Sequence, residues 1–124
     1  MTRTPRIAPP TIRTINRSAF IVRPKERYLR WAASLDADAP RHAETLRQRV
    51  SVYLVPESRS GRAETPPLKN YFDDIFLHEL EDWSTDESTW PSVRNMKTFR
   101  EWFDVTGESI VLDLADEPLC QDDD

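Results

Sequence analysis

Glycine and cysteine are nearly missing from this chain: two glycines and one cysteine in 124 residues. With so few residues free to take positive φ, a glycine-rich phosphate cradle is excluded and tight turns of that kind are scarce. Cys120 alone allows no internal disulfide and no cysteine-based metal cluster. It stands in an acidic tail, and a catalytic role for it is not expected. No stretch approaches the ~18 apolar residues of a membrane span, and no apolar signal-peptide core follows the basic start. The expected location is therefore the cytoplasm, with no membrane partner. GxSxG, P-loop and paired Cys/His motifs are all absent, and so is any internal repeat.

Aromatic residues are plentiful. Four Trp, five Phe and three Tyr each offer a large apolar area to a core, and a chain that stays disordered rarely carries so many. At this length roughly two-thirds of the unfolded surface can be buried, enough for one core. Ten prolines crowd the N-terminal segment and the connections, where they punctuate elements. Charge is distributed unevenly. Residues 1–70 carry fourteen Lys/Arg against six Asp/Glu, while residues 71–124 carry three against sixteen. Either the two halves neutralise each other across one fold, or an acidic face survives folding and meets a basic partner.

Residues 1–14 are rich in Pro, Thr and Arg, lack acidic residues and show no periodicity, so they read as a disordered basic arm. Residues 15–118 read as a single α+β domain, and 119–124 as an acidic tail. Ile15–Val22 ends in the apolar run Ala19-Phe20-Ile21-Val22 and suits a central strand. Pro24 suits the first turn of a helix running to Leu35, with Tyr28, Trp31, Ala32 and Leu35 at helical spacing. Pro40–Arg49 has weaker helical spacing, and Val50–Val55 is a strand closed by Pro56. Pro67–Trp83 is the longest helix, with Leu68, Phe72, Ile75, Phe76, Leu80 and Trp83 on one stripe. A further helix is expected over Asn95–Asp104, ended by Gly107 in a left-handed position, before a strand over Glu108–Leu114. The order is β-α-β-α-α-β, with an extra short helix at Pro40–Arg49 as a variant. Three strands then form a small mixed or antiparallel sheet with helices on one face.

Glu79 falls inside the apolar stripe of the longest helix. A charged carboxylate there costs several kcal/mol unless matched. It is either an acid or base in a pocket, a partner of Arg17, Arg23 or Arg94, or a side chain extending past the core edge. Asp74, His78 and Asp82 follow at i, i+4 and i+8 on the flank, a spacing that can ligate a divalent cation but usually marks a solvated helix face. Neither metal nor cofactor is expected. Trp83 and Trp90 frame the acidic stretch Ser84-Thr85-Asp86-Glu87-Ser88, which is either an aromatic–acidic anchor for a basic partner or a loop stapled to the core. Arg3, Arg6 and Arg13 of the arm are too few to imply nucleic acid.

The runs Asn16-Arg17-Ser18-Ala19, Val52–Glu57, Glu81-x-Trp83-x-x-Asp86-Glu87-Ser88-x-Trp90-Pro91-x-x-Arg94, Phe99-x-x-Trp102-Phe103 and Val111-x-Asp113-Leu114 carry a resemblance. Through them the chain resembles a family of short bacterial cytosolic proteins to which no activity is assigned. The likeness spans residues 15–118 and leaves out the arm. It implies a domain rather than a function, and it marks Arg17, Asp86, Trp90 and Arg94 as positions to consider together. The expectation is a non-enzymatic acidic interaction domain, regulatory or inhibitor-like, that docks a basic protein through Trp83, Asp86, Glu87 and Trp90. The alternative is a small enzyme or ligand binder using Glu79 or Asp86 with Arg17 or Arg94 in a cleft.

Overall fold

A computed structural model describes residues 12–59 and 64–122. In chain order the elements are β1 (Arg13–Thr14), β2 (Arg17–Pro24), α1 (Glu26–Ser34), α2 (Ala39–Arg47), β3 (Ser51–Pro56), α3 (Phe72–Trp83), α4 (Met96–Trp102), β4 (Phe103–Glu108) and β5 (Leu112–Asp113). Short 3₁₀ turns occupy Leu68–Asn70 and Glu87–Thr89. The result is α+β: a three-stranded antiparallel sheet in the order β3-β2-β4, and a second antiparallel pair, β1 with β5.

β2 is the central strand, as its apolar run suggests. Ser18, Phe20 and Val22 point into the core together with Val55 of β3 and Phe103 of β4. Against this face pack Tyr28, Leu29 and Ala32 of α1, Leu46 of α2, Ile75, Phe76 and Leu80 of α3, and Phe99 and Trp102 of α4. Phe76 lies at the centre, its ring 5.5 Å from Phe99 and 5.8 Å from both Trp102 and Phe103. Each such buried aromatic contributes about 1.5–3 kcal/mol from the transfer of its surface alone. The opposite face of the sheet exposes Val52 and Leu54, because the layer of helices is one-sided.

Several boundaries differ from those the sequence suggests. Pro24 closes β2, paired opposite Phe103, and α1 starts two residues later after Lys25 donates to Trp102 O. Over the Pro40–Arg49 segment the helix Ala39–Arg47 forms, so two helices link the first two core strands. Pro67 is extended (φ −62°, ψ 131°), so the longest helix cannot begin there. A 3₁₀ turn intervenes before Phe72. The last helix ends at Trp102, since Phe103 is already extended (φ −135°, ψ 144°). The main final strand is therefore Phe103–Glu108, and of the expected Glu108–Leu114 strand Glu108 ends that ladder while Leu112–Asp113 pairs separately with β1.

Gly107 is not a helix terminator. It lies in β4 opposite Phe20, and a Cβ there would sit 2.9 Å from Thr65 Cγ2 and 3.3 Å from the Phe20 ring. Close approach is what this glycine serves. The two sheets form one bent ribbon. From Ala19↔Glu108 to Thr14↔Leu112 one strand advances five residues and the other four. That extra residue is a bulge, and Asn16 sits at the bend. Arg13 and Thr14, assigned to the arm by composition, are thus paired, while residues 1–11 lie outside the described ones. Among the described residues no helix is long and apolar enough to cross a membrane.

Candidate functional site

Two neighbouring regions around the C-terminal end of α3 gather the polar and aromatic side chains of interest. The first is the seam between β3 and α3. Inward alternation along β3 places Ser51, Tyr53 and Val55 toward the helices, so a hydroxyl and a phenol meet Glu79. Glu79 is 5% exposed and takes no bond from Arg17, Arg23 or Arg94. Tyr53 Oη donates to Glu79 Oε2 at 2.5 Å, and Ser51 Oγ donates to the same oxygen at 3.1 Å. With the phenol proton committed to Glu79, His78 Nδ1–H is the donor to Tyr53 Oη at 2.7 Å. Tyr28 Oη adds a bond to Glu79 O at 3.2 Å.

The electrostatics follow from this packing. Burial first, then the hydrogen bond to Glu79 and its charge, push the Tyr53 phenol well above its ordinary range. Burial likewise pushes Tyr28 up to about 12, opposed by the nearby Arg49 guanidinium. The buried carboxylate is matched by hydroxyl donors. Among the described residues no Lys or Arg lies within ion-pair distance of it, and the exposed His78 ring stands 3.6 Å away. That arrangement is the one that satisfies a buried core group. The helical stripe of Asp74, His78 and Asp82 is not used as a unit: His78 turns to Tyr53, and Asp82 pairs with Arg49. Among the described residues no three His, Cys, Asp or Glu side chains are placed to hold a metal ion.

The second region is the loop from Ser84 to Ser92. Trp31 Nε1–H donates to Thr89 O at 2.8 Å, and Trp90 Nε1–H donates to Ser84 O at 2.9 Å. Trp83 Nε1–H donates to Ala32 O at 3.0 Å, fixing the loop's entry to α1. Inside the loop Asp86 caps the 3₁₀ turn, accepting from Ser88 N and Ser88 Oγ. Those two bonds hold the Asp86 carboxyl below the usual carboxylate range. Thr89 Oγ1 donates to Asp86 O, so Ser84 Oγ is left to donate to Thr89 Oγ1. Asp86 and Glu87 remain exposed, and the indoles of Trp83 and Trp90 are half-buried. The indoles thus staple the loop to the body of the fold, while its carboxylates face solvent.

The quartet Arg17, Asp86, Trp90 and Arg94 forms no joint cluster. Arg17 donates to Asn16 O, Arg94 to Pro91 O, and Asp86 bonds only within its own turn. Glu79 and Trp83 share α3, yet Glu79 faces β3 while Trp83 leans on α1. The sequence reading missed Ser51, Tyr53, His42 and Arg49. For Ser51 a signal was present, namely a polar residue on the same strand parity as Val55. Arg49 gave none, because its partner Asp82 is set by how the end of α2 lies against α3, whereas the His42–Asp36 pair is local, six residues apart across the start of α2. Comparison with protein-family models, curated proteins and solved structures yields no match to the chain.

Proposed function

We propose that the chain is a non-enzymatic interaction domain whose acidic loop docks a basic segment of a protein partner. The observation that carries this reading is a rigid loop with unmatched charge. Asp86 and Glu87 are exposed on a turn braced by two indole N–H bonds and a chain of hydroxyl bonds. Among the described carboxylates past residue 70, only Asp82 lies within ion-pair distance of a Lys or Arg. The excess negative charge of the second half is thus left at the surface, where it steers a cationic partner. Preorganisation lowers the ordering cost of binding, and the half-buried faces of Trp83 and Trp90 supply apolar contact beside the charges. An enzymatic use of Glu79 finds less support, since its carboxylate is enclosed by Ser51 and Tyr53.

The test is fluorescence anisotropy of a labelled Arg/Lys-rich peptide at low and raised salt. Binding is expected to weaken with salt, and Asp86→Asn with Glu87→Gln to weaken it by about fivefold at low salt. The matched control neutralises Asp116 and Glu117. An equal loss in that control would reduce the effect to net charge and overturn the assignment to the loop.

A further inference from the structure

The α2–α3 seam holds an open cavity of about 590 Å³ lined by His42, Thr45, Leu46, Gln48, Arg49 and Trp83. Its size falls in the range of small-molecule sites, about 300–1,000 Å³. Leu46 and the Trp83 indole give it apolar surface. His42 stands edge-on to Trp83 with ring centroids 6.5 Å apart, so two aromatic walls meet at a steep angle. The polar lining comprises a guanidinium, a primary amide, a hydroxyl and an imidazole, with no carboxylate among them.

Each anchoring side chain is held from behind. Asp36 Oδ2 meets His42 Nδ1 at 2.6 Å, which fixes the imidazole ring and keeps the Asp36 carboxyl below its usual range. Asp82 pairs with Arg49. The guanidinium has five N–H donors, and its side chain stays 35% exposed. Trp83 is fixed by its bond to Ala32 O. The two acids sit behind the donors and do not line the cavity. The permanently charged group in the lining is thus the Arg49 guanidinium, beside an aromatic face.

We propose that this groove binds a small aromatic carboxylate, its ring against the Trp83 indole and its carboxylate on the Arg49 guanidinium, with Gln48 and Thr45 as further donors. A planar fork matches a carboxylate in two-point geometry, and a charge-assisted bond of this kind separates an acid from its neutral analogue. The site shares Trp83 with the docking surface but neither Asp86 nor Glu87, so Arg49→Gln tests the groove and the Asp86 and Glu87 substitutions test the docking reading separately.

The experiment titrates the full chain with 2-naphthoate and, separately, with the neutral 2-naphthamide, following backbone amides and the Trp83 indole N–H by two-dimensional NMR. Naphthoate is expected to shift Trp83 and residues of α2, and naphthamide to bind about tenfold more weakly. Arg49→Gln should remove that preference while leaving naphthamide binding in place. Asp82→Asn, which frees guanidinium donors, should retain or strengthen naphthoate binding. A merely structural role for the Arg49–Asp82 pair would instead lose it. Equal binding of the two probes, shifts confined to another part of the molecule, or no shifts at millimolar naphthoate would overturn the proposal.

Discussion

Glu79 and Tyr53 are coupled, and single substitutions should expose how. Tyr53→Phe removes the 2.5 Å donor and leaves a buried carboxylate with Ser51 alone, a loss of about 1–3 kcal/mol in urea unfolding. A cycle with Glu79→Gln should show the two effects to be non-additive. Ser18 offers the opposite sign. Its side chain is fully buried and its Oγ has no hydrogen-bond partner among the described residues. Ser18→Ala should therefore stabilise the fold by about 1 kcal/mol, and a clear loss would show that the hydroxyl is bonded. Alkaline pH tests the tyrosines. The unfolded phenol ionises near pH 10, whereas folded Tyr28 holds its proton to about 12. The folded state then binds more protons, so its stability is complete below pH 10 and falls as pH rises toward 12. Denaturant midpoints at pH 8 and pH 11 should show this fall, and Tyr28→Phe should reduce it, with the raised Tyr53 phenol contributing the rest.

At the level of elements, the sheet is apolar on both faces but covered on one. Val52 is 61% exposed and Val55 6%, although they sit three residues apart on the same strand. Val52→Thr should stay within about 0.5 kcal/mol of the parent, while Val55→Thr buries a hydroxyl and should cost about 1–3 kcal/mol. Comparable losses would mean that the outer face is covered as well. The helices over Tyr28–Ala32 and Phe72–Trp83 were legible because their apolar residues recur at helical spacing. The stretch from Phe103 to Glu108 was not. Met96, Phe99, Trp102 and Phe103 continue one helical stripe on paper, yet Phe103 belongs to the strand. Pairing with β2 decides the matter, since Phe103 and Val105 reach the core only if the backbone extends alongside Pro24 and Val22.

For the molecule as a whole, charge is the property that folding left in place. The first half's arginines could have covered the second half's acids, but among the described residues past 70 only Asp82 pairs with one, Arg49. Salt-sensitive binding of a basic peptide is the corresponding prediction, and its dependence on Asp86 and Glu87 tells a shaped site from bulk charge. The sequence by itself determined the α+β class, the central strand, the long amphipathic helix, the place of Glu79 on its apolar stripe and the acidic excess of the second half. These rest on local periodicity and composition, which act between residues near in sequence. Only the tertiary structure decided that Glu79 is matched by Ser51 and Tyr53 rather than an arginine, 28 and 26 residues away in the chain. It also placed Trp31 on the acidic loop and brought His42, Arg49 and Trp83 around one groove. Partners so far apart are chosen by how helices settle on the sheet, and no local pattern encodes that choice.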